Sequence, residues 1–120
     1  TDNIETVKKY RSSVTVGYAV ETICSANDEG IITDIQDRNR ARIAKAPQCF
    51  YLSDLMDAHN KALSEGITWM IDSASLMKYY GFELHTVVGS TYNIKITTPW
   101  DYYIFRALFE AEENSQIFGL

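Results

Sequence analysis

Hydrophobic positions along this chain follow two different spacings. Residues 13–23 are rich in β-branched and aromatic side chains, and a second such run begins at Ile31 after a polar stretch over 26–30. Two β-forming runs joined by a short loop that contains Asn, Asp and Gly predict a hairpin. Because the second run can continue as far as Lys45, the pattern predicts an unusually long hairpin arm over residues 13–45.

Four other segments carry apolar residues at the three- and four-residue spacing of a helix. The residues that can cap them are Asp2, Ser53, Asp72 or Ser73, and Thr98. The predicted helices run over 2–10, 53–66, 72–81 and 98 to about 112. The last has the best-defined start, because Thr98 is followed by Pro99 and by an acid at Asp101.

Short β-forming runs separate the later helices. Residues 84–88 and 94–97 are predicted strands, so strands and helices alternate through the second half of the chain. This alternation predicts an α/β fold, with the hairpin as an excursion from a layered sheet. With 120 residues and 46% hydrophobic content, the chain is expected to form one domain over its whole length.

The chain is acidic, with a formal net charge of −5. Nucleic acids and anionic membranes attract a cationic surface, so we expect neither as a partner. No apolar run reaches the ~20 residues that span a bilayer and no export signal is visible, which favours a cytoplasmic protein. The two cysteines have neither CxxC spacing nor neighbouring histidines, so no metal site is predicted from them.

Basic residues cluster at one place in this acidic chain. Arg38, Arg40, Arg42 and Lys45 lie within eight positions. If this segment is extended, the three arginines share one face and their guanidinium groups could grip a phosphate. The alternative is a solvated edge strand protected by its charges. The spacing by itself leaves both interpretations open.

Two further positions are candidates for substrate binding. Lys95 precedes a helix start, where free amides and the helix dipole favour an anion, although an exposed strand lysine would show the same pattern. Asp72 could contact a substrate hydroxyl, although a carboxylate at a helix start is usually only a cap. The six glycines are too far apart for a GxGxxG or Walker loop, so no nucleotide triphosphate site is predicted here.

Four segments together resemble the cytidylyltransferases that activate methylerythritol phosphate and ribitol phosphate. They are AVETI at 19–23, DRN at 37–39, APQCF at 46–50, and YNIKITTP at 92–99 followed by Asp101. The last of these is close to the family signature, and the others are weak alone. The resemblance runs from about 3 to 109 and implies the C-terminal part of a Rossmann-like nucleotidyltransferase sheet.

What the resemblance implies is transfer of CMP from CTP to an alditol phosphate, with pyrophosphate as the second product and Mg²⁺ accompanying CTP. Arg38 and Lys95 would then be the catalytic residues that position the substrate phosphate, and Thr22 would help to bind it. Asp72 completes the expected substrate-binding set. Transfer at phosphorus depends on alignment and on stabilising charge, for which arginine and lysine are suited.

The family also uses its hairpin arm to clasp a second subunit. The resemblance therefore implies a homodimer across a two-fold axis. The expected arm contacts are Thr22, Ile23, Ile31 and Ile32.

Three departures from the family pattern qualify this resemblance. The family's Gly-rich N-terminal loop is missing and the chain opens at Thr1 in helix-forming sequence, so we expect a piece of a longer protein that is inactive alone and binds no metal alone. Ala46 and Ile71 stand where the family usually has threonines, so two hydroxyl contacts to substrate are missing.

Methylerythritol phosphate and ribitol phosphate stay open as substrates. A non-catalytic dimerisation or anion-binding module is the alternative function.

Overall fold

In the computed structural model, which describes residues 1–119, the chain forms two compact units. The first covers Thr1–Gly89 and the second begins at Ser90. The expectation of a single partial domain over 1–120 stays a prediction. No helix among the described residues is both long and apolar enough to cross a bilayer.

The first unit, residues 1–89, contains five strands and three helices. In chain order its elements are α1 (Asp2–Tyr10), β1 (Ser12–Tyr18), β2 (Cys24–Ala26), β3 (Ile32–Ile35), β4 (Arg42–Phe50), α2 (Leu52–Ser64), α3 (Ser73–Tyr79) and β5 (Thr86–Val88). The second unit contains α4 (Pro99–Phe118). Strands and helices are mixed, as the apolar pattern predicts, but they do not strictly alternate, because β1 to β4 are consecutive and α3 follows α2 directly.

The main sheet has the strand order β4-β1-β5, with β1 antiparallel to β4 and parallel to β5. Its central strand is buried from Ser12 to Val16. Val14 pairs with Gln48 while Val16 pairs with Ala44, so β4 bulges opposite Thr15. The Thr15 hydroxyl donates to the carbonyl of Pro47 across this bulge at 2.8 Å. A bulge of this kind re-aims the side chains that it carries.

The apolar core of the first unit lies between α2 and α3. Ala58 and Ala62 of α2 pack with Leu76 and Met77 of α3, and all four are buried. Polar side chains are buried on β1, where Ser13 and Thr15 bind the side-chain amide of Asn3 from α1. These contacts satisfy hydroxyls that would otherwise be buried without partners.

The hairpin arm is built in two parts and is not one pair of continuous strands. β1 and β4 pair as far as Tyr18 and Arg42, and the short sheet β2-β3 lies beyond them. Residues 19–23 and 36–41 between these sheets are not strand. We call residues 19–41 the arm. The prediction of unbroken strands through 13–23 and 31–45 is therefore wrong.

A local turn interrupts the second strand of the arm. The side-chain carboxylate of Asp37 accepts from the Asn39 amide at 3.0 Å, and the Asp37 carbonyl accepts from the amides of Arg40 and Ala41 at 3.0 and 2.9 Å. Aspartate that bonds its own backbone in this way competes with strand pairing. We call residues 37–41 the Asp37 turn.

Two of the predicted helix starts are shifted or lack a side-chain cap. α2 begins at Leu52 with Tyr51 as N-cap, two residues before the expected Ser53 cap, and α1 has no side-chain cap although Asp2 and Glu5 suggest one. α3 begins as predicted, with Asp72 as its N-cap.

The second unit differs from the prediction on both sides of its helix start. Residues 94–97 form no strand, and α4 continues to Phe118 where an end near 112 was expected. Gly119 ends the helix in the left-handed conformation at φ 67°. Although the aromatic residues of α4 recur at helical spacing, no residue of this helix is buried.

Candidate functional site

Asp72 and Gln48 form a hydrogen-bonded pair between β4 and the start of α3. The Gln48 side-chain amide donates to Oδ2 of Asp72 at 3.2 Å and accepts from the Ala74 amide at 3.0 Å. Oδ1 of Asp72 accepts from the Ser75 amide at 2.8 Å. Both carboxylate oxygens are thus held in place, which fixes the orientation of their remaining lone pairs.

The Asp72 carboxyl is stabilised as an anion. Hydrogen bonds from Ser75, and a weaker one from Gln48, lower the pKa of Asp72, although partial burial opposes them. An ionised carboxylate accepts hydrogen bonds and donates none. The geometry therefore suits contact with a hydroxyl group and does not suit contact with a phosphate, and the predicted substrate contact of Asp72 stays a prediction.

Lys45 lies in the bulge of β4, next to this pair, and its side chain crosses Gly17 of β1. A Cβ atom at position 17 would lie 3.0 Å from Cε of Lys45 and 3.6 Å from its Nζ. Gly17 is near the carboxyl end of β1, and the Gly89 amide after β5 donates to the Val16 carbonyl at 2.9 Å. Open α/β sheets bind ligands at the carboxyl ends of their parallel strands. The sequence grouped Lys45 with the arginines and did not assign it to this edge.

Thr22 and Arg38 occupy the base of the arm, between the main sheet and β2-β3. Thr22 lies in the segment 19–23 and Arg38 lies in the Asp37 turn, and both are exposed. The last bond before the outer sheet, from the Gln36 amide to the Ile23 carbonyl, is 2.9 Å long. Across residues 1–119 the Arg38 guanidinium has neither an ion pair nor a hydrogen bond, so it can bind an anion.

The three arginines do not share one face. Arg38 and Arg40 lie in the Asp37 turn, whereas Arg42 is the first residue of β4. The Arg42 guanidinium lies 4.5 Å from the ring centre of Tyr18 and donates to the carbonyls of Asn39 and Ala41. The prediction of an extended arginine face is therefore wrong, because the turn rotates Arg38 and Arg40 away from the strand register.

The expected dimer contacts differ in their exposure. Ile31 and Ile32 at the outer sheet are 57% and 55% exposed, Thr22 is exposed, and Ile23 is half-buried. No residue of β2 or β3 is buried. The outer sheet therefore presents apolar side chains to solvent.

Lys95 is exposed in the irregular segment before α4 and has no hydrogen bond or ion pair among the described residues. The helix start beside it differs from the expected anion site. The Asp101 carboxylate accepts from the amides of Thr97 and Thr98 at 3.0 and 2.8 Å, and these bonds lower the pKa of Asp101 to about 2. These amides are therefore not free for an anion, and any phosphate bound here would depend on the lysine.

The structure brings together only some of the predicted site residues. Thr22 and Arg38 share the arm base, and Asp72 lies with Gln48 in the same compact unit. Lys95 belongs to the second unit.

Ala46 and Ile71 are exposed beside Pro47 and Asp72, and Ile71 is 90% exposed. Among residues 1–119 no three His, Cys, Asp or Glu side chains cluster so that they could hold a metal ion.

Comparison with known proteins identifies the family. The family model of 2-C-methyl-D-erythritol 4-phosphate cytidylyltransferase matches residues 2–111. The chain belongs to this cytidylyltransferase family. The match covers all of the candidate positions in both units, from Thr22 to Asp101.

The curated members of the cytidylyltransferase family that resemble this chain include two kinds of enzyme. Ribitol-5-phosphate cytidylyltransferases from Streptococcus agalactiae serotype V and Vibrio parahaemolyticus are 51% and 44% identical to it, each over 98% of this chain and 49% of their own length. A bifunctional enzyme IspD/IspF from Nitrobacter winogradskyi is 32% identical over 82% of the chain. The chain thus spans about half the length of the ribitol-5-phosphate cytidylyltransferases.

Solved structures of the cytidylyltransferase family have the same fold. The 2-C-methyl-D-erythritol 4-phosphate cytidylyltransferase of Thermus thermophilus superposes with a TM-score of 0.71 at 27% identity, over 87% of this chain and 50% of that one. The 4-diphosphocytidyl-2C-methyl-D-erythritol synthase of Anaerococcus prevotii reaches 0.82 at 21% identity, over 91% and 48%. The predicted α/β fold of Rossmann-like nucleotidyltransferase type is confirmed.

Proposed function

We propose that this chain is the part of a cytidylyltransferase that binds the alditol phosphate, and that the complete gene product transfers CMP from CTP to it. An oxygen of the alditol phosphate attacks the α-phosphorus of CTP and forms a new P–O bond. The bond between the α-phosphorus and the bridging oxygen breaks, and pyrophosphate leaves. The products are a CDP-alcohol and pyrophosphate.

Ribitol 5-phosphate is the substrate that we favour over methylerythritol phosphate. The observation that carries this choice is the 51% identity to a ribitol-5-phosphate cytidylyltransferase over 98% of the chain, against 32% to the bifunctional enzyme. Ala46 and Ile71 agree with this choice of substrate, because they replace threonines of the methylerythritol phosphate pattern and neither side chain can form a hydrogen bond with a substrate hydroxyl. Asp72, held by Gln48 and Ser75, is available to accept a hydrogen bond from one of the alditol hydroxyls.

Arg38 and Lys95 are the residues that we assign to the substrate phosphate, with Thr22 as an additional ligand. Both cations are exposed, and in the part of the chain that the structure describes neither has a competing anion. Cations placed against the reacting phosphate groups hold them in line and stabilise charge that develops at phosphorus. Magnesium is expected to accompany CTP, and the roles assigned to Arg38 and Lys95 are those of the side chains themselves.

The arm is the part that we propose to join two copies of the protein. It exposes Ile31, just before β3, and Ile32 within β3, and an isolated two-stranded sheet is only marginally stable in water. A second copy would cover these side chains, so we propose a homodimer. A cytoplasmic location agrees with this biosynthetic role.

The test is an assay of the complete gene product with CTP and two acceptors, ribitol 5-phosphate and methylerythritol phosphate, with pyrophosphate and CDP-alcohol formation as readouts. We expect turnover with ribitol 5-phosphate. Arg38→Ala and Lys95→Ala should each lower kcat/KM by about 100-fold or more, because each removes a fixed charge at the reacting phosphate.

Arg40→Ala is the matched control, since Arg40 lies in the same turn and its side chain makes no hydrogen bond, ion pair or ring contact among residues 1–119. It should leave kcat/KM within about twofold of the unmodified protein. Near-normal turnover of both Arg38→Ala and Lys95→Ala would refute their assignment. Absence of transfer to either acceptor by a folded dimer would instead favour the non-catalytic dimerisation or anion-binding module.

A further inference from the structure

In the part of the chain that the structure describes, Arg42 is the one arginine of the basic cluster whose guanidinium makes hydrogen bonds or a ring contact. Its Nη1 donates to the Asn39 carbonyl at 3.0 Å and to the Ala41 carbonyl at 2.9 Å. The guanidinium lies over the Tyr18 ring, with Cζ at 4.5 Å from the ring centre. Tyr18 is the strand partner of Arg42 at the last pair of β1 and β4.

The Asp37 turn is therefore held from two sides. From within, the Asp37 carbonyl accepts from the amides of Arg40 and Ala41, which closes the turn. From the main sheet, Arg42 donates to the carbonyls of Asn39 and Ala41 at the end of the turn, and its guanidinium lies over the Tyr18 ring on β1. Arg38 is the second residue of this turn, and within residues 1–119 its side chain makes no hydrogen bond, ion pair or ring contact that would fix it.

We infer that Arg42 is a positioning residue that fixes the Asp37 turn so that Arg38 faces the substrate phosphate. This inference rests on the proposed role of Arg38. A long cationic side chain on a mobile turn would lose conformational entropy when it binds a phosphate, and a fixed backbone removes part of that loss. Arginine suits the position because a planar guanidinium can stack on a ring and donate at its edge at the same time.

The alternative role for Arg42 is direct contact with the phosphate. Its guanidinium already has two carbonyl acceptors and a ring beneath it, so reaching a phosphate would break this arrangement. The two roles differ in what happens when Arg38 is absent. A residue that acts only through Arg38 has nothing left to position, whereas a direct ligand still contributes.

The experiment is a double-mutant cycle in the complete gene product with the alditol phosphate as varied substrate. Arg42→Met keeps the apolar stem and removes the donors and the charge. It should lower kcat/KM by about tenfold, mainly through a higher KM, because a displaced ligand group is costly even when it is still present. In the Arg38→Ala background, Arg42→Met should lower kcat/KM by a further factor of less than about two, because effects that act through one group are not additive.

Arg40→Met is the matched control, with the same change in charge and size two positions away. It should leave kcat/KM nearly unchanged, which separates a geometric effect from loss of general positive charge. Tyr18→Phe keeps the ring and should also be silent. Hydrogen exchange at the amides of Arg40 and Ala41 gives a readout that does not depend on activity, and it should accelerate in Arg42→Met but not in Arg40→Met.

Full additivity of Arg42→Met with Arg38→Ala would overturn the inference and favour direct binding. Unchanged exchange at both amides would overturn it as well, because Arg42 would then not hold the turn. If Arg38→Ala itself left activity intact, the proposed role of Arg38 would fall and the positioning role with it. The exchange result would still show that the failure lay in the substrate assignment and not in the turn.

Discussion

At the scale of single residues, Gln48 connects the strand bulge to the helix that presents Asp72. One end of its amide donates to the Asp72 carboxylate and the other end accepts from the Ala74 amide. Glutamine suits this place because it offers a donor and an acceptor at the same time. The contact spans 24 positions of sequence, so helix-capping rules identify Asp72 and give no indication of Gln48.

Gln48→Leu removes both amide contacts at nearly constant size. The Ala74 amide loses its acceptor in a partly buried place, so we expect the free energy of unfolding to fall by about 1–3 kcal/mol. Urea or thermal unfolding measures this change. A variant as stable as the unmodified protein would mean that water replaces the glutamine without loss.

Gln48→Glu tests the contact with Asp72 more directly. It places a second carboxylate against Oδ2 of Asp72, and two like charges raise each other's pKa. A raised pKa stabilises the fold only when the group is protonated, so this variant should be least stable near neutral pH and recover as the pH falls. Gln116→Glu, at an exposed position of α4, adds the same charge and should show no such recovery.

At the scale of elements, the start of α4 is held by reciprocal capping. The Thr98 hydroxyl accepts from the Asp101 amide at 3.4 Å, and the Asp101 carboxylate accepts from the Thr97 and Thr98 amides. Pro99 at the first helical position lacks an amide that would need a partner. This local chemistry explains why the sequence predicted the helix start correctly.

The Asp101 carboxyl makes this helix start sensitive to acid. Its pKa is lowered from 3.8 to about 2 by the backbone bonds of Thr97 and Thr98. A lowered pKa means that the contribution to helix stability is complete above pH 3.8 and is lost as the pH falls through about 2. Asp101→Asn should therefore have less helix than the unmodified protein at neutral pH, and the gap should close near pH 2.

Circular dichroism across this pH range measures the loss of helix, and carboxyl chemical shifts report the titration directly. Glu112→Gln is the control, since Glu112 is an exposed acid of the same helix whose carboxylate makes no hydrogen bond or ion pair among residues 1–119. It should leave the pH profile unchanged. An Asp101 resonance that titrates near 3.8 would show that the capping bonds are absent in solution.

The elements that the sequence predicted wrongly depend on competition between local and distant contacts. Residues 94–97 have strand-forming side chains, yet propensity alone does not create a strand without a partner, and they form none. In the arm, Asp37 bonds its own backbone and breaks a run that looks continuous by side-chain type. The bulge that places Lys45 over Gly17 arises from pairing with β1, which the sequence of β4 does not reveal.

At the scale of the whole molecule, the outer sheet of the arm lacks buried side chains that would stabilise it. β2 and β3 bury no side chain, while the main sheet buries five consecutive residues of β1. Burial of apolar surface is the main stabilising contribution in proteins. The proposed homodimer would supply that burial, so order in the outer sheet should depend on assembly.

The prediction is a dimer by light scattering or sedimentation that loses affinity when the arm is altered. Deletion of residues 25–34 should yield monomers at concentrations where the unmodified protein is dimeric. Ile32→Asp should weaken the dimer by introducing a charge into the covered surface. Asp28→Ala at the tip of the arm is the control and should leave association unchanged.

Amide exchange in β2 and β3 should slow as protein concentration rises, because association stabilises the ordered arm by mass action. A monomer in which these amides are protected at every concentration would contradict the proposed role of the arm.

The independence of the outer sheet from the core also affects how the sequence can change over time. Substitutions in β2 and β3 leave the packing of α2, α3 and β1 untouched, so they carry little penalty in folding. Two related proteins in one cell could therefore diverge in the arm alone. If the arm selects the partner, such divergence would be enough to prevent mixed dimers while each protein keeps its own catalytic chemistry.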